Sequence, residues 1–171
     1  WCSGCKGAEI DFSHPGAVNK VTELVKRVTD LGAVGLKMDW DEALQPNLRS
    51  KKLSFKFYNG EDIDTMKNVY SDLYHKTMKQ AFDKHLGELS FHINRTGSWG
   101  GQKYNTCIWP GDLDNDFSMH TREPSEKQRK WNVGGLPAAI TANQSLGLVG
   151  FPCFGSDIGG YRNGQPKQEA L

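Results

Sequence analysis

The chain has 171 residues, 37% of them hydrophobic, with 21 Lys and Arg set against 20 Asp and Glu. That near balance, with no long block of like charge, excludes a nucleic-acid surface, which needs a concentrated basic face. No apolar run approaches the ~18 residues of a membrane-spanning helix.

Taken in chain order, the pattern alternates strands with helices. Ala8 to Phe12 reads as a short strand, and Ser13-His14-Pro15 then opens a helix, since Pro is favoured in a first turn whose N–H groups lack partners anyway. Val18, Val21, Leu24, Val25, Val28 and Leu31 recur at helical spacing up to Gly32, a natural stop. Val34 to Met38 follows as a strand. Strand, helix and strand over about thirty residues make a βαβ unit and imply a parallel sheet covered by helices. Ile63, Met66, Val69, Tyr70, Leu73, Met78, Ala81 and Phe82 mark one long helix that ends near Gly87. Further strands are expected at Leu89 to Ile93, Thr106 to Trp109 and Leu148 to Phe151, with a small-residue helix from Leu136 to Leu146 that carries Pro137 in its first turn. Ala43 to Asn59 and Thr121 to Asn132 look like inserted loops, which in such folds often serve as binding-site walls or lids.

Carboxylates fall just beyond these strands. Lys37-Met38-Asp39-Trp40-Asp41-Glu42 closes one, and Trp109-Pro110-Gly111-Asp112 closes another. Arg95 and Asp157 follow two more. Active sites of parallel β/α barrels form at these C-terminal ends. Two carboxyls beside aromatic rings suit chemistry on a sugar, where one attacks or stabilises the anomeric centre and the other protonates the leaving oxygen.

Five strings occur in order: Asp11-Phe12-Ser13-His14-Pro15, Lys37 to Glu42, Asn94-Arg95-Thr96-Gly97-Ser98, Trp109-Pro110-Gly111-Asp112, and Ser156-Asp157-Ile158-Gly159-Gly160-Tyr161. Together they resemble the catalytic barrel of glycoside hydrolase family 31, the α-glucosidase and α-xylosidase family. The resemblance implies that Asp39 is a nucleophile, Asp112 a general acid/base and Arg95 a sugar contact. It also implies that Lys37, Trp40, Trp109 and Asp157 line the same pocket, and that Glu42 orients its neighbours. The expected fold is the middle portion of a (β/α)8 barrel. A complete barrel takes roughly 250 residues, so residues 1–171 are expected to be part of a catalytic domain, with the remainder of the barrel elsewhere in the parent chain. The expected activity is retaining hydrolysis of an α-linked oligosaccharide or glycoside, with no metal or organic cofactor. A transglycosylase on the same site and a non-catalytic carbohydrate-binding barrel are the alternatives.

Other readings stay open at this level. Asp39, Asp41 and Glu42 also suit loop carboxylates, with Asp39 as a helix cap. Pro-Gly-Asp is ordinary turn chemistry, and Asp114 stands close enough to compete with Asp112. Arg95 also fits a structural ion pair across the barrel mouth. Some relatives place a His where this chain has Ser156, which puts one substrate contact in doubt. Cys2-Ser3-Gly4-Cys5 has the spacing of redox and zinc sites, but a second such pair is absent. Cys107 and Cys153 are expected to be buried small hydrophobes. Asn94-Arg95-Thr96 is formally a glycosylation acceptor, expected to be unused because a glycan there would block the pocket.

Overall fold

The computed structural model describes residues 9–40, 56–119, 133–162, 164–166 and 168–170. Glu42, Asp41, Cys2, Cys5 and most of the two inserted loops lie outside the described residues. Helix α1 spans Pro15–Asp30 and strand β1 Gly35–Met38. Helix α2 spans Met66–Leu86, β2 Phe91–Asn94, β3 Cys107–Ile108 and helix α3 Leu136–Leu148.

Local chemistry sets these boundaries. His14 caps α1 by accepting the Gly16 N–H at its Nδ1, 3.0 Å away, and Pro15 fills the first turn as the spacing predicts. Helix α2 stops at Gly87, whose φ of 66° lies in the left-handed region. No helix among the described residues is long and apolar enough to cross a membrane.

The three strands are parallel and adjacent in chain order, β1-β2-β3. Gly35 to Met38 pair with Phe91 to Asn94, and Ile93 and Asn94 pair with Cys107 and Ile108. Ile108 makes a further parallel bridge to Phe154. A parallel sheet whose neighbours follow chain order, with a helix between β1 and β2, has the order of an arc of a barrel wall, an order that half of a doubly wound sheet shares up to its switch point. The pleat turns Met38 into the core beneath α1 and α2 and brings His92 edge-on to Phe82 of α2. Alternation then sends Lys37, Asp39 and Arg95 to the opposite face.

The core joins Phe12, Val21, Val25, Met38, Phe57, Met66, Tyr70, Met78, Ala81 and Phe82. Only Val21 and Val25 of α1 are buried, while Leu24, Val28 and Leu31 stay exposed. The apolar stripe is therefore wider than the face the described residues cover.

Two expected strands are not where the pattern put them. Residues 9–11 form no strand. Their polar groups are taken by side chains instead: Tyr70 donates its hydroxyl to the Ile10 carbonyl at 3.0 Å, and Asp11 accepts from the N–H groups of Ser13 and Tyr58. Leu148 to Phe151 is no strand either. Helix α3 runs on to Leu148, and the Phe151 N–H returns to the Leu146 carbonyl. Pairing with β3 begins past Pro152, where Cys153 accepts from the Ile108 N–H and Gly155 donates to the Ile108 carbonyl.

Cys153 is exposed, against expectation, whereas Cys107 is buried. Burial first, and then the neighbouring Cys153 sulfur, push the Cys107 thiol up to about 11, which leaves it protonated and inert near neutrality. Asn94 is fully buried, so its sequon is out of reach of a glycan in the folded chain.

His92 gives the fold a pH dependence. The ring is fully buried, with Nε2 3.1 Å from Ser90 Oγ. Burial, and to a lesser degree the Lys79 ammonium, push its pKa down from 6.5 to about 4, against an opposing pull from Asp83. The folded state thus binds this proton less readily than the unfolded chain. The neutral ring's contribution is complete above about pH 6.5 and is lost as pH falls toward 4, up to about 3 kcal/mol in all. His92→Gln should flatten that part of the stability curve of the intact protein. Denaturation midpoints that fall equally in both proteins between pH 6.5 and 4 would assign the acid sensitivity to other groups.

Candidate active site

The strand ends deliver the expected residues to one place. Asp39 follows β1, Arg95 follows β2, Trp109 and Asp112 follow β3, and Asp157 follows the Phe154 bridge. The ladder extends just past the strands, with the Arg95 N–H bonded to the Met38 carbonyl and the Trp109 N–H to the Asn94 carbonyl. These bonds hold the side chains above them at adjacent levels of the wall.

Arg95 stands at the centre. Its Nη1 donates to Asp39 Oδ1 at 2.8 Å and lies 4.0 Å from Asp112 Oδ1. One guanidinium therefore reaches both carboxylates, so the two oxygens are no more than about 7 Å apart, close to the spacing of a retaining pair and below most of the inverting range. Arg95 and Asp112 are mostly buried; Asp39 is about a third exposed. Asp39 Oδ1 also accepts the Trp40 N–H at 2.8 Å. Trp40 has φ 68°, a left-handed conformation uncommon for a bulky residue, and strain of this kind concentrates at functional sites.

Lys37, Trp109 and Asp157 form a second group beside the first. Lys37 Nζ sits 3.4 Å from the Trp109 ring centroid and 3.7 Å from Asp157 Oδ1. The Trp109 indole N–H donates to Asp157 Oδ2 at 2.9 Å. Arg95 lies 5.2 Å from the Trp109 ring and 5.4 Å from that of Trp40, so the two groups share it. Trp109 is only 4% exposed, whereas Trp40 is 46% exposed, and of the two Trp40 offers the more open face. Gly111, at φ 86°, keeps the backbone tight under the arginine, since a Cβ there would come within 3.1 Å of Arg95 Nε.

Asp114, the rival to Asp112, is 3% exposed and takes part in a parallel bridge with Arg162. Asp112 is the carboxyl turned toward Arg95. Arg162 itself was not foreseen: its Nη2 lies 3.7 Å from Asp112 Oδ2. The motif that locates its neighbours ends at Tyr161, and no spacing rule points one residue further.

Trp109→Ala should weaken binding of a competitive sugar-like inhibitor to the intact protein by on the order of 1–3 kcal/mol, through the lost ring and the loosened Lys37 and Asp157. Unchanged inhibitor binding in a folded variant would make Trp109 a packing residue only.

A sequential parallel sheet with a carboxylate and arginine cluster at its C-terminal rim fits part of a (β/α)8 barrel. The family model for the glycosyl hydrolases family 31 TIM-barrel domain matches residues 1–171, and the chain belongs to that family. It is 30% identical over 158 residues to a sulfoquinovosidase of Escherichia coli, covering 91% of this chain and 20% of that protein. To an alpha-xylosidase of Emericella nidulans it is 32% identical over 170 residues, covering 97% and 18%. A solved family 31 sulfoquinovosidase from E. rectale, in complex with an aza-sugar inhibitor, superposes with TM-score 0.75 at 26% identity over 94% of this chain and 22% of that one. The chain thus spans about a fifth of the length of these relatives.

Proposed function

We propose that this chain carries the catalytic pair of a retaining α-glycosidase, with Asp39 as nucleophile and Asp112 as general acid/base. The observation that carries the reading is Arg95, which bonds Asp39 and reaches Asp112, and so keeps the two carboxyls no more than about 7 Å apart, a bound that admits the retaining spacing. In the first step Asp39 attacks the anomeric carbon while Asp112 gives its proton to the departing oxygen. In the second, water attacks the same carbon, its proton passes to Asp112, and the Asp39 ester is released. Arg95 holds the Asp39 carboxyl in place through its Nη1 bond. Its remaining donors suit sugar hydroxyls, as do Lys37 and the open face of Trp40. Asp157 orients Lys37 and Trp109, and Glu42 is assigned an orienting role by its place in the motif. No metal or organic cofactor is needed for this chemistry.

Two relatives are named for sulfoquinovose and xylose, so the substrate panel for the intact protein should include aryl α-glycosides of both beside α-glucosides. Proton NMR during the first turnovers should show the α-anomer of the released sugar before mutarotation. A β-anomer formed first would contradict the retaining mechanism. Oligosaccharide formed at high substrate concentration would move the reading toward transglycosylation.

A further inference from the structure

Arg162 follows the Ser156 to Tyr161 motif, and the backbone delivers it to the site. The N–H groups of Tyr161 and Arg162 both donate to the Leu113 carbonyl at 3.0 Å, and Arg162 bridges Asp114 in parallel register. Gly160, at φ 79°, lets the segments close up: a Cβ there would stand 2.5 Å from Asn115 Cα and 2.6 Å from the Asp114 carbonyl oxygen. Residue 162 is therefore held beside the Asp112 turn by main-chain contacts that its side chain does not make.

The side chain then meets Asp112 at the carboxyl oxygen that Arg95 does not approach. Arg162 Nη2 is 3.7 Å from Oδ2, and Arg95 Nη1 is 4.0 Å from Oδ1. Arg95 is already engaged by Asp39 at 2.8 Å. Of the other charged groups nearby, Asp114 lies across the bridge from Arg162, and Lys37 and Asp157 oppose each other beyond Trp109. Arg162 is 27% exposed and Asp112 21%, so water screens their attraction only in part. A guanidinium this close draws the carboxyl oxygen toward it and so orients the group.

We propose that Arg162 is a positioning residue for Asp112, one whose guanidinium holds the carboxyl in the orientation that both steps use. The proposal rests on the acid/base reading of Asp112. In the first step the proton moves from Asp112 to the glycosidic oxygen as the bond to the anomeric carbon breaks, and Arg162 faces the carboxylate left behind. In the second step that carboxylate takes the proton from the attacking water as the Asp39 ester bond breaks.

The test compares kcat/KM of the intact protein on a glycoside with a poor leaving group and on a dinitrophenyl glycoside, which needs little acid help. Arg162→Gln should lose about tenfold on the first and little on the second, and Arg162→Lys should restore much of the loss. Arg162→Met is the second charge-removing variant if Arg162→Gln fails to fold. Equal loss on both leaving groups, or no loss on either, would overturn the proposal and leave Arg162 a structural ion pair. Asp112→Ala separates this from the underlying reading. If that variant loses equally on both leaving groups, Asp112 is not the acid and the larger reading fails; if it loses selectively on the poor leaving group while the Arg162 variants do not, only the role of Arg162 fails.

Discussion

Asp39→Ala should abolish turnover on every leaving group in the intact protein, with a loss on the order of 10⁴-fold or more, because the bond that starts the reaction has no atom to form it. The prediction has a structural confound, since Asp39 also anchors Arg95 Nη1 and the Trp40 N–H. Asp39→Asn keeps an oxygen for both donors and should be equally inactive. Activity retained in Asp39→Asn but lost in Asp39→Ala would make Asp39 an anchor for Arg95 rather than the nucleophile. Binding of a neutral competitive inhibitor should change far less than turnover in either variant.

Asp112→Ala should fail differently. A dinitrophenyl glycoside or glycosyl fluoride leaves without a proton, so glycosylation of Asp39 should proceed and the covalent intermediate should accumulate for want of a base. A burst of leaving group followed by a slow steady state is the expected trace. Azide needs no base, and adding it should restore turnover and yield an α-glycosyl azide. Rescue absent in Asp112→Ala but present in Asp114→Ala would transfer the role to Asp114, against its 3% exposure. A β-azide would rule out double displacement.

Much of this arrangement is legible in the sequence, for physical reasons that also mark where it stops. Helix spacing and Pro15 place α1, and Gly87 ends α2, because cap and stop chemistry is local. The four site positions at strand ends follow from the parallel topology, which the βαβ pattern announces. Residues 9–11 and Leu148 to Phe151 mislead, because short apolar runs satisfy strand and non-strand environments alike. Tyr70 and Asp11 decide the first case, and the run of α3 on to Leu148 decides the second. Trp109 lies deeper than its place beside a carboxylate suggests, with Lys37 over its ring. Arg162 is invisible to pattern reading, since its place depends on the approach of the 160–162 backbone to Leu113, a contact between segments far apart in the chain.

The central claim is that Asp39 forms a covalent bond to the sugar. Incubating the intact protein with a fluorinated α-glycosyl fluoride, which slows the second step more than the first, should add one sugar mass. Peptide mapping should place that mass on the Asp39 carboxylate. A label on Asp41, Glu42 or Asp112, or no label while the reagent is still turned over, would contradict the account.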